Sequence, residues 1–464
     1  MLRTKSCIER YNRTLRYSQL RSLRCSGRMN DRTCLQNDLT EIKLRRQSTS
    51  SHYDSGDNDS YKKNFTLQQL WNPSSEHRAL RESIRTFVHR EVEPQAEQYN
   101  KTEKFNIDLF RKLGTHTSDG LGILGLSIDE NYGGTNMDAT AVALVHEELS
   151  YSDPAFCLSY LAHALLLGHN LFMNGSSAQK ELYLPNICSG VTIGGMGMSE
   201  SNAGTDVLGM QTKAVPDANG WILNGTKMWI TNGTLDGSST GDLFLVYART
   251  GTGKLDITQF LVTKDMPGFV LGQKIEDKLG MRASMTAELV FNNVLIPHDN
   301  VVGHINQASI CMMRNLEIER VALAAMAIGI ARRCLDDMIA YASDRTAFGA
   351  RNLMDFGQIQ RMIAESYAEY MAGRSYVYTT ANALQLNTTG NTLDADGTKL
   401  FCAAMAKNIA DRAIQVLGGN GYIGAYKVER FWRDAKLLEI GGGTNESHHK
   451  NIIRDLRKLD RRLS

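Results

Sequence analysis

The chain has no CxxC pair; its eight cysteines (Cys7, Cys25, Cys34, Cys157, Cys188, Cys311, Cys334 and Cys402) are scattered. That spacing supports neither a zinc site nor a disulfide framework, and a reducing compartment is the simplest reading. Net charge is almost absent too. With 52 Lys and Arg against 50 Asp and Glu, the balance is +2. It gives no reason to expect a nucleic-acid partner. No uncharged apolar run is read as reaching the roughly 18–20 residues that span a bilayer. The strongest candidate, Val321–Ala331, is too short and follows Glu319 and Arg320. A buried helix is expected there, and no membrane insertion. Nucleophile-elbow and Walker motifs are missing, and no internal repeat is found.

What remains is ordinary globular material. The 464 residues are 42% hydrophobic and 22% charged, which suits two to four domains. Charge is uneven at the start. Residues 1–30 hold eight Lys or Arg and a single acid, Glu9. An Arg-rich, acid-poor N-terminus reads as a mitochondrial transit peptide, with a disordered basic tail as the alternative; targeting is the reading taken, and the mitochondrial matrix is the expected location. The polar stretch Gln47–Ser60 reads as a disordered linker. A leader and linker over 1–64 are therefore expected.

Apolar residues then recur at helical spacing in Leu80–Val92, Ala139–Leu149 and Leu158–Phe172. The texture changes near Gly190. The run Gly220–Ile230 reads as a β-hairpin turning at Asn224-Gly225, followed by strands at Leu243–Tyr247, Thr258–Val262 and Glu288–Ile296. Long helical patterns return over Met312–Ser343, Gly357–Leu386 and Gly397–Leu417. The expected fold is α+β and multidomain: a helical domain over 65–188, a β-domain (barrel or sandwich) over 189–304, and a helical bundle over 305–464.

Several segments carry chemistry. Met196–Asp206 is rich in small and hydroxyl residues, whose backbone N–H groups can cradle a phosphate or the edge of an electron-poor ring. A plain polar turn fits equally well. In Trp229-Ile230-Thr231-Asn232-Gly233 the Trp can cover a planar cofactor, or sit in the core. Gly419–Gly424 matches G-x-G-x-x-G on paper. It follows a helical segment rather than a strand, which excludes a dinucleotide-binding βαβ unit. His448-His449 has no ligand cluster around it, so structural or solvated histidines are expected.

Glu319 is the most informative residue. Met312, Leu316, Glu319, Leu323 and Met326 fall on one stripe of a helix, so Glu319 interrupts an apolar face. A carboxylate buried there needs a partner or a task. Desolvation would raise its pKa and strengthen it as a base, whereas a salt bridge to a buried arginine would leave it structural. Glu317 projects about 160° away, toward the expected solvent side.

Four in-order blocks, 198–206 (MSESNAGTD), 229–233 (WITNG), 344–349 (DRTAFG) and 415–446, resemble the acyl-CoA dehydrogenase family. The likeness covers about residues 65–455 and is strongest toward the isovaleryl-CoA branch. It implies FAD, an acyl-CoA substrate, a homotetramer, and electron transfer to electron-transfer flavoprotein. By resemblance, Met196, Gly197, Met198, Ser199, Glu200, Ser201, Asn202, Ala203, Gly204 and Thr205 wrap the flavin together with Trp229, Ile230 and Thr231. Arg345, then Gln415, Val416, Leu417, Gly418 and Gly419, then Thr444, Asn445 and Glu446, match contacts to the dinucleotide end, part of them across a subunit interface. Thr205, Glu317, Ile318, Arg320, Gly442 and Gly443 match positions lining the thioester site. Most of the family carries its catalytic glutamate where this chain has Gly442. The isovaleryl-CoA and long-chain branches place it before an arginine on the first bundle helix, as in Glu319-Arg320. Two departures stand out: Ile310 replaces a tyrosine near the substrate, and Phe356-Gly357-Gln358 replaces a Phe-Gln pair. A long-chain dehydrogenase, an acyl-CoA oxidase and a non-catalytic flavin-binding relative remain alternatives.

Overall fold

The computed structural model describes residues 67–463, apart from 115–119 and 389. The leader and linker expected over 1–64 lie outside the described residues. Helix α1 (Ser75–Phe87) starts where the Ser74 side chain accepts from the His77 N–H; α2 (Ala139–Ser150) is capped in the same way by Asp138 through Ala141 N–H. Every residue of α2 is buried, including Glu147 and Glu148. A long helix, α3 (Ala308–Asp344), is followed by α4 (Gly357–Ala383), α5 (Thr392–Leu417), α6 (Val428–Leu438) and α7 (Asn445–Leu463). The middle of α3, Val321–Ala331, is enclosed on all sides, with helices α2, α4, α5 and α6 packed around α3. Its many alanines allow that close approach.

Two carboxylates in the last turn of α2 need cations, and three helices supply them. Arg81 of α1 reaches Glu147 at 3.0 Å, Arg332 of α3 reaches Glu148 at 2.7 Å, and Arg374 of α4 reaches Glu147 at 3.0 Å. Tyr378 donates its hydroxyl to Glu147, and the Arg374 guanidinium lies 3.8 Å from the Trp71 ring centroid. Burial pushes both carboxyl pKa values up, but the guanidiniums outweigh it and hold both groups below the ordinary range. This cluster fastens the N-terminal helices to the bundle.

The segment Pro154–Asn174 corrects the membrane reading of the sequence. It is long and apolar enough to cross a bilayer by length and composition, and it holds no Asp, Glu, Lys or Arg. Of its most apolar 18 residues, 78% are nonetheless buried inside the protein. His163 bonds the Ile187 carbonyl, and Asn170 donates to the Tyr247 hydroxyl. These polar groups are answered by protein, which suits a core helix.

Eight strands follow: β1 (Gly194–Gly197), β2 (Lys213–Asp217), β3 (Gly220–Thr231), β4 (Leu243–Arg249), β5 (Ile257–Thr263), β6 (Phe269–Lys274), β7 (Thr286–Pro297) and β8 (Val301–Val302). The order is β6-β7-β3-β2-β4-β5-β8, with β1 parallel to β4. The two halves meet only at the parallel pair Lys213/Arg249 and share one apolar core, with Trp221 and Phe291 from one half and Phe244 and Phe260 from the other. No closed barrel forms. The hairpin expected at Asn224-Gly225 is also corrected. Strand β3 runs straight through as far as Thr231, and the chain turns earlier, at Ala218-Asn219. Gly225 sits instead at a bulge, with φ +138°, where a Cβ would lie 2.7 Å from the Thr212 Cα. A bulge and a tight turn make the same demand for Asn-Gly chemistry.

Arg374→Met leaves Glu147 buried with one cation fewer, so a stability loss of about 3–5 kcal/mol is expected, read as a lowered thermal midpoint. A midpoint equal to the parent's would show that the cluster does not fasten the helices.

Candidate active site

The predicted stripe on α3 is real, and it runs between two loops. Met312 packs in one cluster with Met198, and Met196 and Leu316 pack against it. Seven residues on, Leu323 meets the late loop: a Cβ on Gly442 would lie 2.2 Å from the Leu323 Cδ1 and 3.5 Å from the Glu319 Oε1. Glu319 therefore sits between the Met196–Thr205 loop and the Gly442–Gly443 turn. A carboxylate on Gly442 and one on Glu319 would converge on the same space.

Glu319 is 6% exposed, and its Oε2 has no hydrogen-bond partner. Among the described residues it forms no ion pair. The salt-bridge alternative is not what the structure shows, because Arg320 turns to Asp396 at 3.3 Å. Burial pushes the Glu319 carboxyl up to about 7, with the Arg320 and Lys399 charges opposing that rise. A carboxylate with a free oxygen and a near-neutral pKa is suited to general-base work.

The two early loops are stitched together. Met228 N–H donates to the Ser199 carbonyl at 2.9 Å, and Asn232 Nδ2 donates to the Gly194 carbonyl at 3.0 Å. Trp229 lies at an irregularity in the β3/β7 pairing, with φ +60°, and is 53% exposed. It is not a core residue. A left-handed backbone at an exposed tryptophan is a costly arrangement that marks a site with a task. Ile230 is buried and Thr231 half-buried beside it.

Within the Met196–Thr205 loop the structure divides the predicted residues. Ser201, Asn202, Gly204 and Thr205 are exposed, whereas Gly197, Met198, Glu200 and Ala203 are buried. Glu200 turns inward. Its carboxylate accepts from Gln211 and Thr212 N–H groups and pairs with Lys227 at 2.8 Å. Its side chain is a brace for the loop. Lys227 has the same role, donating also to the Met198 carbonyl at 3.1 Å.

Glu317 is a correction. It does not face solvent: it is 4% exposed and accepts from Gly390 N–H, Asn391 N–H and the Thr392 hydroxyl. These bonds cap the start of α5, whose own N-cap residue, Asn391, makes no side-chain bond. All three bonds run to that helix end, which corrects the solvent-facing expectation for Glu317. Ile318 is buried, and Gly443 lies in the turn beside Glu319.

Arg345 and Gln415–Gly419 gather elsewhere. Asn420 donates to the Tyr341 hydroxyl at 2.9 Å, which ties the Gly418-Gly419 turn to the C-terminal end of α3, where exposed Arg345 lies. Val416 and Leu417 are buried in the core, so only their backbone is available to a ligand. Glu319 and Arg345 are 26 residues apart on one helix and its cap, about 39 Å at ~1.5 Å per residue. Thr444, Asn445 and Glu446 follow directly on Gly443, at the Glu319 end.

Sequence reasoning missed Lys399 and Asp396, and read His448 only as structural or solvated. All three are buried; Lys399 Nζ donates to the Gly443 carbonyl at 2.6 Å, and His448 bridges Asp396 and that same carbonyl. The signal was present. Asp396 and Lys399 interrupt the apolar face of α5 just as Glu319 interrupts that of α3.

The folded pKa of Glu319, about 7, lies above its ordinary 4.5. The folded state therefore keeps a proton that the unfolded state releases, and Glu319 costs stability increasingly as pH rises through that window. Glu319→Gln is expected to gain stability at pH 8, by at most about 3 kcal/mol, and little at pH 4.5. Denaturation at the two pH values checks this; a pH-independent difference would contradict it.

Comparison with known proteins agrees with this geometry. Three family models match: the acyl-CoA dehydrogenase N-terminal domain over 74–191, the middle domain over 195–294 and the C-terminal domain over 310–456. The chain is 39% identical to the mitochondrial isovaleryl-CoA dehydrogenase of Solanum tuberosum over 383 residues, 82% of this chain and 90% of that one. It is equally similar, at 39% with the same coverage, to a mitochondrial 2-methylacyl-CoA dehydrogenase of the same plant. A glutaryl-CoA dehydrogenase from Mycobacterium smegmatis, solved in complex with FADH2, superposes with a TM-score of 0.78 at 29% identity, covering 84% of this chain and 96% of that one. Three matched domains in order, with near relatives along nearly their whole length, place this chain in the acyl-CoA dehydrogenase family of FAD-dependent oxidoreductases acting on acyl-CoA.

Proposed function

We propose that this chain α,β-dehydrogenates a short branched acyl-CoA such as isovaleryl-CoA, a step of leucine breakdown, with Glu319 as the base and FAD as the bound cofactor. The observation that carries this reading is the Glu319 carboxylate: desolvated, with a free oxygen, between the flavin-type loop and the Gly442 turn. The α-C–H of a thioester is a very weak acid. A base of near-neutral pKa, shielded from water, is what its removal requires. The printed names of the relatives, isovaleryl- and 2-methylacyl-CoA dehydrogenase, support a branched substrate, and both are mitochondrial enzymes.

The residues present fit a flavin. Trp229 offers an exposed aromatic face beside the Ser199 loop, and open space borders the backbone of Gly204, Gly418 and Gly419. The exposed stretch around Ser201, Asn202 and Thr205 and the half-buried Thr231 would hold the ring edge, with Thr205 also toward the thioester. When bound, the flavin supplies the acceptor for the β-hydride. The chain's own task is to hold the acyl group with its α-carbon at Glu319 and to keep water out.

Arg345 stands about 39 Å along the helix from the base, and the Gly418-Gly419 turn is tied to the same end of that helix through Asn420 and Tyr341. They serve the dinucleotide end only if a second copy brings them to the site, which supports a homotetramer. Phe348, 88% exposed, and Tyr422, 84% exposed, lie on those two loops and would be covered in such an assembly. Electron-transfer flavoprotein is the proposed electron acceptor, and the mitochondrial matrix the proposed location.

Glu319→Gln is expected to retain FAD while anaerobic flavin bleaching by isovaleryl-CoA falls about 10²–10⁴-fold. Rapid bleaching in that variant would exclude Glu319 as the base. Titration of the parent with isovaleryl-, 2-methylbutyryl-, butyryl-, octanoyl- and palmitoyl-CoA should show fastest bleaching with the branched pair. Fastest bleaching by palmitoyl-CoA would move the protein to long-chain substrates, and rapid reoxidation of the reduced flavin by oxygen would mark an oxidase. Moving the carboxylate to the late loop, as Glu319→Gln with Gly442→Glu, should recover part of the activity, and more when Leu323→Ala clears the 2.2 Å overlap, the positive φ at 442 still opposing it.

A further inference from the structure

Lys399 is a lysine with no exposed surface, on α5, and the hydrogen bond of its ammonium goes to a neutral acceptor, the Gly443 carbonyl, at 2.6 Å. A buried ammonium is costly, and an uncharged donor would make the same bond without that cost. The charge therefore calls for an anion. Three carboxylates act on Lys399: Glu319, Asp396 and Glu439. Asp396 already has Arg320 at 3.3 Å and the ring of His448. Glu439 already has Lys436 at 2.6 Å and Lys407 at 3.6 Å. Glu319 is left, and it has no ion pair of its own among the described residues.

We propose that Lys399 is a positioning residue for the dehydrogenation, anchoring the Gly442–Gly443 turn through the Gly443 carbonyl and adding to Arg320 a second positive charge that favours the ionised form of Glu319. The inference rests on Glu319 being the base. Gly442 and Gly443 have φ values of +65° and +96°, so the turn uses a backbone conformation that needs holding in place. Two side chains hold it, Lys399 and His448, the latter with Nε2 3.0 Å from the same carbonyl. The charged and titratable groups acting on Glu319 are Arg320 on its own helix, Lys399 on α5 and, on β4, the Tyr247 phenol. With Arg320 committed to Asp396, Lys399 is the cation not already paired. The reciprocal influence is present too: burial pushes Lys399 down to about 8, and the charge of Glu319 is the largest effect opposing it.

The sign follows directly. A base works when ionised, so flavin reduction climbs with pH along the ionisation of Glu319. Removing the positive charge raises the pKa of that ionisation and moves the climb to higher pH. The test is anaerobic stopped-flow flavin reduction of the holoenzyme by isovaleryl-CoA across pH, in the parent, Lys399→Gln, Lys399→Met, Lys399→Arg and Glu319→Gln. Lys399→Gln keeps a donor for Gly443 and loses the charge. Its profile should shift upward by one pH unit or more, about tenfold slower on the acid side, and rejoin the parent at high pH. Lys399→Met should shift at least as far, and Lys399→Arg should stay near the parent. A purely structural lysine would change stability or KM without moving the profile. An unmoved Lys399→Gln profile, or a Lys399→Arg profile shifted equally, overturns the proposal even if Glu319→Gln is inactive. Fast bleaching in Glu319→Gln overturns the base reading itself, and this inference with it. If Lys399→Met fails to fold, Lys399→Gln decides.

Discussion

A carboxylate held out of water within an apolar helix seam is the constraint around which the rest of this structure is arranged. Glu319 gains nothing for the fold from its place between Leu316 and Leu323; desolvation there opposes its ionised form. The surrounding structure has to tolerate it. Arg320 is turned aside to Asp396, the late turn is held close by Lys399 and His448, and the Oε2 atom is left free. A structural glutamate would have been answered by a guanidinium, as Glu147 and Glu148 are. The contrast between the two sites, fully paired in α2 and unpaired in α3, separates a carboxylate that fastens helices from one that is available for proton transfer.

Gly442 and Glu319 are best understood as a pair. The late loop approaches α3 so closely that a Cβ on residue 442 would overlap Leu323 and reach the Glu319 carboxylate. Space for one acidic group exists, and this chain fills it from the helix. Glycine at 442 then follows both from crowding and from its positive φ.

Much of this was legible in the sequence because periodicity survives folding. The stripe Met312–Leu316–Glu319–Leu323 predicted a buried acid, and helix geometry delivered it. The blocks at 198–206, 229–233 and 415–446 indicated the family, whose domain models then matched in order. Where the reading failed, a local signal had two meanings. Asn224-Gly225 serves a bulge as well as a turn. Pro154–Asn174 has the composition of a span and the surroundings of a core. Glu317 lies off the apolar stripe, which on a surface helix means solvent; α3 is enclosed nearly all round, so that side meets the start of α5 instead.

The sequence by itself determined the helix–sheet–helix order, the family, and the burial of Glu319 on an apolar stripe, because these depend on composition, short-range spacing and motif blocks. Tertiary structure alone decided which buried charges answer one another: Glu200 with Lys227, Glu147 with three arginines, Asp396 with Arg320 and His448, and Lys399 beside Glu319. Those partners come from elements far apart in the chain. Electrostatic energy in a low-dielectric interior depends on distances in space, which no periodicity along the sequence encodes.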